Sequence, residues 1–476
     1  MDSADLAFAG LAAQAELVRT AEVSARELVE LYLERIERID PQLNAYRVVM
    51  SERALAEADQ ADARRRSGGE RPLLGVPIAI KDNVDVAGEV TTHGTSAYGA
   101  PARDDAEIVK RLRAAGAIVI GKTHLPELAV YPWTESATWG VTRNPWDPQR
   151  TTGGSSGGSG AAVAAGLAAA GSASDGGGSI RIPAACCGLF GLKPQRGRVS
   201  LMPDAEHWHG LSVVGSLTRS VRDSALWLDV VAGRAEGDAE TARPPATSFA
   251  DAAAATPGRL RVAISLKPSA PFVRVESEVR MAVEETAELL ESLGHEVERR
   301  DPDYGVPLPL FLPRWLRGIR DDAVRLAQPR RLERRIRRLV QAGGLFSVDA
   351  VARARAREPG YTARFGAVFD DFDVLLTPTI PRLPWPTLRF EGLGPVGASL
   401  AAGNVIPFVN IWNITGQPAA SVPAGFSSDG LPRAVQLVGR AHDETTLLSL
   451  AAQIESARPW ADRRPPLATG ASAATV

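Results

Sequence analysis

The apolar and polar positions divide the chain into an outer helical stretch and two runs of alternating strand and helix. Ser24-Ala25-Arg26-Glu27 reads as a capping box, and Leu28, Leu31, Tyr32, Ile36 and Ile39 then recur on one helical face, which predicts an amphipathic helix on the outside of the fold. From Leu73 the pattern changes. Val76 to Ile80 is an apolar run of strand length, Ala106 to Ala115 has helical spacing, and Ala117 to Ile120 is again strand-like. After a Gly/Ser-rich middle the alternation resumes with a strand at Leu260 to Ile264 and a helix from about Glu276 to Leu293, ended by Gly294. Asp373 to Thr377 and Ala434 to Val438 predict further strands of the same sheet. Alternation of this kind predicts an α/β fold, a sheet covered by helices on both faces.

Three stretches depart from the pattern. Ala161 to Ala170 is apolar and rich in Gly and Ala; it falls short of the ~18 residues of a membrane-spanning helix and predicts a buried one. Arg314 to Val340 mixes Arg with Leu and Ile, which predicts a solvated amphipathic helix rather than a nucleic-acid site. From about Pro465 the residues are small and polar, which predicts a disordered tail over 465–476.

Composition narrows the function classes. The chain has 476 residues, 45% of them apolar, a size that by itself suggests two or three domains. No linker-like break lies between Leu17 and Trp460, so the reading is one large unit. With 54 Lys and Arg against 56 Asp and Glu, the net charge of -2 supplies no field for nucleic acid or an anionic membrane, and a small neutral substrate is the easier fit. The N-terminal residues lack the basic region and apolar block of a secretory signal, which predicts a cytoplasmic protein. Cys186 and Cys187 are adjacent, with neither a loop to staple nor metal-ligand spacing, so buried reduced thiols are expected.

The chemistry concentrates between Thr151 and Arg198, where two glycine-rich loops bracket an apolar segment. A linker would not be joined to that segment or run into Ile180 and Ile182. Gly153 and Gly158 have the opening spacing of a phosphate loop, but Ser159 and Gly160 stand where Lys and Ser or Thr would be needed. What remains is a backbone able to turn sharply at Gly176-Gly177-Gly178 and aim its N–H groups at a developing anion, with Ser179 directly after. A serine nucleophile needs a base. None of the six histidines has a triad setting: His207 and His209, around one Trp, read as a loop feature, and G-x-S-x-G is absent around Ser179. A lysine can serve if burial lowers its pKa. Lys81 follows the apolar run from Val76 to Ile80 and so emerges at a strand end, where open α/β sheets place their sites; Lys122 ends a similar strand and competes with it.

At these residues the sequence resembles the amidase signature family. A strand-end lysine, the loop Gly153-Gly154-Ser155-Ser156-Gly157-Gly158 and a second serine within Asp175-Gly176-Gly177-Gly178-Ser179-Ile180-Arg181 occur in the family's order. GKTHLPEL, WGVTRNPWDP, GLKPQRGRVS and NITGQPAASVPAG extend the match over nearly the whole chain. The resemblance implies a large mixed β-sheet in one domain, 1–464, made of a helical region (about 1–70), a catalytic core (about 71–230) and a C-terminal α/β half (about 258–464). It implies a Ser-cis-Ser-Lys triad: Lys81 as base, Ser155 on a cis peptide as relay, and Ser179 as nucleophile. The backbone N–H groups of Gly176, Gly177, Gly178 and Ser179 would form the oxyanion hole, supported by Ser156, Asp175 and Arg181. Gly176 replaces a residue that more often carries a side chain, which is expected to loosen one donor and to slow or broaden activity.

The expected reaction is hydrolysis of apolar or aryl amides without metal or other cofactor, with anilides, carbamates (urethanes) and esters as further substrates. Tyr131, Trp133, Ile411 and Trp412 are the candidate lining of an apolar pocket. The expected partner is a small molecule, with no nucleic acid or membrane, and the chain a monomer or homodimer. The alternative is an amidotransferase subunit acting in a tRNA-dependent complex.

Overall fold

Successive residues of one strand enter different cores, as they must when both faces of a sheet are covered. In the computed structural model, which describes residues 2–469, Val374 and Leu376 join one apolar cluster and Leu375 another, and Val262 and Ile264 are separated from Ala263 in the same way. The first cluster is closed by helices Ala25–Leu43, Val221–Val231, Ser277–Ser292 and Glu444–Ala457. Helices Arg181–Cys187, Leu308–Arg325, Arg334–Gly343 and Pro395–Gly403 contribute to a second cluster.

The sheet has eleven strands. In chain order they are β1 (Tyr46–Val49), β2 (Pro77–Lys81), β3 (Ile118–Thr123), β4 (Ala170–Asp175), β5 (Phe190–Lys193) and β6 (Val213–Thr218). The remainder are β7 (Arg261–Ile264), β8 (Glu296–Arg299), β9 (Val374–Pro378), β10 (Ala419–Phe426) and β11 (Pro432–Gly439). Their spatial order is β1-β3-β2-β4-β6-β5-β10-β11-β9-β7-β8. The sheet is mixed: β2 runs parallel to β3 and β4, β7 runs parallel to β8 and β9, and the other pairs are antiparallel. Strands from both halves of the sequence therefore share one sheet, joined where β5 pairs with β10.

The local signals read from the sequence recur. Ser24 and Glu27 form both halves of the capping box, and Gly294, just past helix Ser277–Ser292, has a φ of +92°. Three expectations are corrected. The helix expected over Ala161 to Ala170 is instead Gly157–Ala164, because Ala170 is drawn into β4 beside Ile78. The Arg-rich stretch is not a solvated face at its start. Helix Leu308–Arg325 buries Leu310, Phe311, Trp315, Gly318 and Ile319, and Arg314 is fully buried with an ion pair to Glu358. The tail is ordered at its beginning, where Pro466–Thr469 form a short helix, Ala468 is buried and its carbonyl accepts from Arg35; residues 470–476 lie outside the described residues. Among the described residues no helix is long and apolar enough to cross a membrane.

Candidate active site

β2 lies between two parallel neighbours, so its apolar residues are buried and the residue at its end is carried into the interior. That residue is Lys81, with no exposed surface. Its backbone N–H donates to Ser172 Oγ at 2.8 Å, and its Nζ lies 2.7 Å from Ser155 Oγ and 2.9 Å from Ser174 Oγ. Among the described residues no carboxylate forms an ion pair with it. Burial therefore pulls its pKa down from the ordinary lysine value to about 7, with only the more distant Asp175 opposing. A neutral Lys81 has two N–H donors and one lone pair: Ser174 Oγ takes a donor, and Ser155 can donate its proton to the lone pair.

Lys122 is equally buried but differs chemically. Ile80 pairs with Lys122 and Lys81 with Thr123 across the β2–β3 register. Asp82, just beyond the end of β2, consequently meets Lys122, with Oδ1 2.9 Å from Nζ. Thr91 and the Val90 carbonyl also accept from Lys122. Among the described residues no serine hydroxyl contacts its Nζ.

The first glycine loop presents Ser155. The Gly154–Ser155 peptide is cis. Gly154 sits against the backbone of Tyr131 and Trp133, where an added Cβ would lie 2.6 Å from Trp133 N. Thr134 Oγ1 donates to the Gly153 carbonyl and accepts from Gly157 N. Ser155 is fully buried, and the neighbouring Ser156 hydroxyl donates to the Ser174 carbonyl at 3.3 Å.

The second loop is wound around a carboxylate. Asp175 Oδ1 accepts from Gly178 N at 2.6 Å and Oδ2 from Ile180 N at 3.2 Å, so the turn is clasped on both sides of Ser179. Arg181 meets the same carboxylate through Nε and Nη2, both at 3.0 Å, and Asn413 Nδ2 adds a bond of 2.8 Å. Arg181 is held in turn by the carbonyl of Val409 and the side chains of Gln436 and Asn413. Burial would raise the carboxyl's pKa, but Arg181 outweighs it and holds Asp175 well below the usual carboxylate range. Gly178 has a φ of +123°, and a Cβ there would lie 2.4 Å from Val409 Cγ2, so only glycine fits.

This arrangement changes the expected donor set. The Gly178 N–H is spent on Asp175, so it is not free to bind an oxyanion. Those of Gly176, Gly177 and Ser179 have no acceptor among the described residues. Ser179 is half-buried, and its Oγ has no hydrogen-bond partner there, Ser155 included. A side chain at Gly176 would have no room here. Trp208 occupies the space of the absent side chain, 2.7 Å from where a Cβ would be, and itself packs against Gly318 of helix Leu308–Arg325.

The aromatic residues proposed as pocket lining are core. Tyr131 and Trp133 stack on each other at 4.7 Å, both almost fully buried, and their backbone supports Gly154. Ile411 and Trp412 belong to a separate cluster with Phe365 and Phe369. Besides Trp208, apolar groups that border the second loop include Phe311, beside Gly177, and Val409, beside Gly178.

Sequence reasoning also missed Ser174, Trp208, Ser212 and Asp322. Ser172 and Ser174 alternate on β4, and that period of two could have placed both hydroxyls on the lysine's side. The helical spacing of Phe311, Trp315 and Gly318 carried the signal for a buried helix. His207 and His209 are anchored to that helix through Asp322 and Asp321, respectively. Among the described residues no group of three or more His, Cys, Asp or Glu is placed to hold a metal ion.

A family model described as Amidase matches residues 27–448. The "Putative amidase AmiB2" of Mycobacterium tuberculosis is 53% identical over 467 residues, covering 98% of this chain and 99% of that protein. The 6-aminohexanoate-cyclic-dimer hydrolase of a Pseudomonas species is 35% identical, covering 96% of each chain. Among solved structures, a 6-aminohexanoate cyclic dimer hydrolase complexed with substrate superposes with a TM-score of 0.91 at 33% identity, covering 97% of this chain and 99% of that one. A bacterial aryl acylamidase superposes with a TM-score of 0.84 at 27% identity, covering 97% and 98%.

Proposed function

Because the chain belongs to the amidase signature family, whose members hydrolyse C–N amide bonds, we propose that it cleaves amides through Lys81, Ser155 and Ser179 by way of an acyl-enzyme. Neutral Lys81 takes the Ser155 proton as Ser155 takes that of Ser179, and Ser179 Oγ bonds to the carbonyl carbon. The oxyanion is met by the N–H groups of Gly176, Gly177 and Ser179; removal of a single such donor in a comparable hydrolase costs about 3 kcal/mol. The C–N bond then breaks. Ser155 gives its proton to the departing nitrogen and recovers one from Lys81. Water repeats the relay on the ester and releases the acid, restoring Ser179.

The observation that carries this reading is the 2.7 Å contact between Ser155 Oγ and a buried lysine that has no ion-pair partner among the described residues. A lysine near neutral charge is what general-base catalysis at physiological pH requires. Phe311 and Val409 beside the turn favour an apolar or aryl acyl group. Anilides, carbamates and esters present the same carbonyl to the same relay and are proposed as further substrates. The amidotransferase-subunit alternative is not favoured by relatives named as amidases and a cyclic-dimer hydrolase.

The test is a panel of nitroanilide, nitrophenyl ester and carbamate substrates, run beside covalent labelling with a fluorophosphonate. Turnover and labelling should both vanish in Ser179→Ala. Unchanged turnover by that variant would overturn the assignment.

A further inference from the structure

Gly176 and Gly177 take part in no hydrogen bond among the described residues. The turn is pinned on either side of them, where Asn413 Nδ2 donates to the Asp175 carbonyl at 2.8 Å and Gly178 N donates to the Asp175 carboxylate. Two residues without side chains, and with their backbone groups unheld, have the widest choice of conformation a chain allows. Packing is then what fixes the direction of their N–H groups. Gly177 rests against Phe311, whose Cζ lies 3.2 Å from where a Cβ would be, and Gly176 rests against Trp208.

The indole of Trp208 is held as a wedge. Its six-membered ring faces Gly176, with Cε3 2.7 Å and Cζ3 2.9 Å from the place of a Cβ, and its five-membered ring faces Gly318, with Cδ1 at 2.5 Å and Cγ at 2.8 Å. A side chain at either glycine would displace the ring. Nε1 donates to Asp322 Oδ2 at 2.7 Å, so a hydrogen bond as well as contact ties the ring to helix Leu308–Arg325. Trp208 and His209 both hold left-handed backbone, with φ of +49° and +53°, which bulky residues rarely adopt. Arg314, fully buried and one turn before Gly318, fixes this bend by donating from Nε to the His209 carbonyl at 2.9 Å. Backbone of this kind persists only where its surroundings over-determine it. Phe311 and Gly318 lie two turns apart on one face of the helix. One helix therefore reaches two adjacent glycines, Gly177 directly and Gly176 through the indole.

We propose that Trp208 is a positioning residue for the oxyanion: wedged between Gly318 and Gly176, its indole sets the Gly176 N–H by the position of helix Leu308–Arg325. The proposal rests on Ser179 being the nucleophile and on the Gly176 N–H meeting the oxyanion.

The experiment measures kcat and KM on the amide best turned over in the substrate panel, with active sites counted by the endpoint of fluorophosphonate labelling. Beside it runs the inhibition constant of a trifluoromethyl ketone of the same acyl group. Ser179 Oγ adds to that ketone's carbonyl carbon and leaves an oxyanion, with no leaving group to depart. Trp208→Ala should lower kcat per labelled site about a hundredfold, as loss of one such donor does, and leave KM within about twofold. The ketone's inhibition constant should rise by about the same hundredfold. Trp208→Phe should give an intermediate loss in both and serves as the second variant if Trp208→Ala does not fold. Gly318→Ala, which presses on the ring, should lower kcat about tenfold in the native background and have no effect in Trp208→Ala, where the ring is gone.

A residue that only stabilised the fold would reduce the number of labelled sites and leave kcat per site and the inhibition constant as they were; that outcome overturns the proposal. So does a lowered kcat with an unchanged inhibition constant, a raised KM with an unchanged kcat, or an equal cost of Gly318→Ala in both backgrounds. Absence of labelling in the native protein would instead sink the nucleophile assignment, and this proposal with it.

Discussion

Lys122 Nζ lies 2.9 Å from the Asp82 carboxylate, and this ion pair distinguishes it from Lys81, although burial lowers the pKa of both lysines. Asp82 holds Lys122 by charge, whereas Lys81 next to it in sequence is left with serine hydroxyls. Lys81→Ala should therefore lower kcat by several orders of magnitude with little loss of folding stability. Lys122→Ala should act in the opposite way. Removing one partner of a buried pair costs on the order of 3 kcal/mol, while Arg47 still meets the carboxylate. Steady-state kinetics beside denaturant unfolding separate the two, and near-native kcat in Lys81→Ala would reverse the assignment.

The pH profile follows from the same contrast. With its pKa pulled down to about 7, Lys81 is protonated in acid and cannot accept the Ser155 proton. kcat/KM should fall about tenfold per unit below pH 7 and level off above it. A rate that stays flat down to pH 5 would exclude this lysine as the base.

Asp175 fixes the turn that carries Ser179. Asp175→Asn leaves the buried Arg181 without its carboxylate, and breaking such a pair costs roughly 3–5 kcal/mol. The variant should unfold at markedly lower denaturant and lose turnover, because an amide keeps only one of the two oxygens, so that either the Gly178 or the Ile180 N–H loses its acceptor. Native-like midpoints would show that the glycine turn is held by other contacts.

Phe311 borders Gly177 on the side assigned to the acyl group. Phe311→Ala should reduce kcat/KM for a benzoyl amide about tenfold relative to the acetyl amide of the same amine, since aryl contact is lost and acetyl contact is not. Equal reductions on both would place the acyl group elsewhere.

What the sequence determined by itself was local. The apolar runs ending at Lys81 and Lys122, the capping box at Ser24 and Glu27, and the helix closed by Gly294 depend on neighbours a few residues apart, and their periodicity is visible without coordinates. The two serine loops were legible for the same reason, as glycine runs bearing a fixed set of polar residues. Tertiary structure alone decided which amides are free, because Asp175 reaches back to Gly178 only when Arg181 and Asn413 hold it in place. It also decided that Trp133 and Trp412 are core, since aromatic composition does not distinguish a pocket wall from packing. The seat of the Trp208 indole depends on a contact between Asp322 and the loop holding His207 and Trp208, residues more than one hundred positions apart. No periodicity within either segment encodes that meeting; it exists because helix Leu308–Arg325 buries its apolar face over the glycine turn.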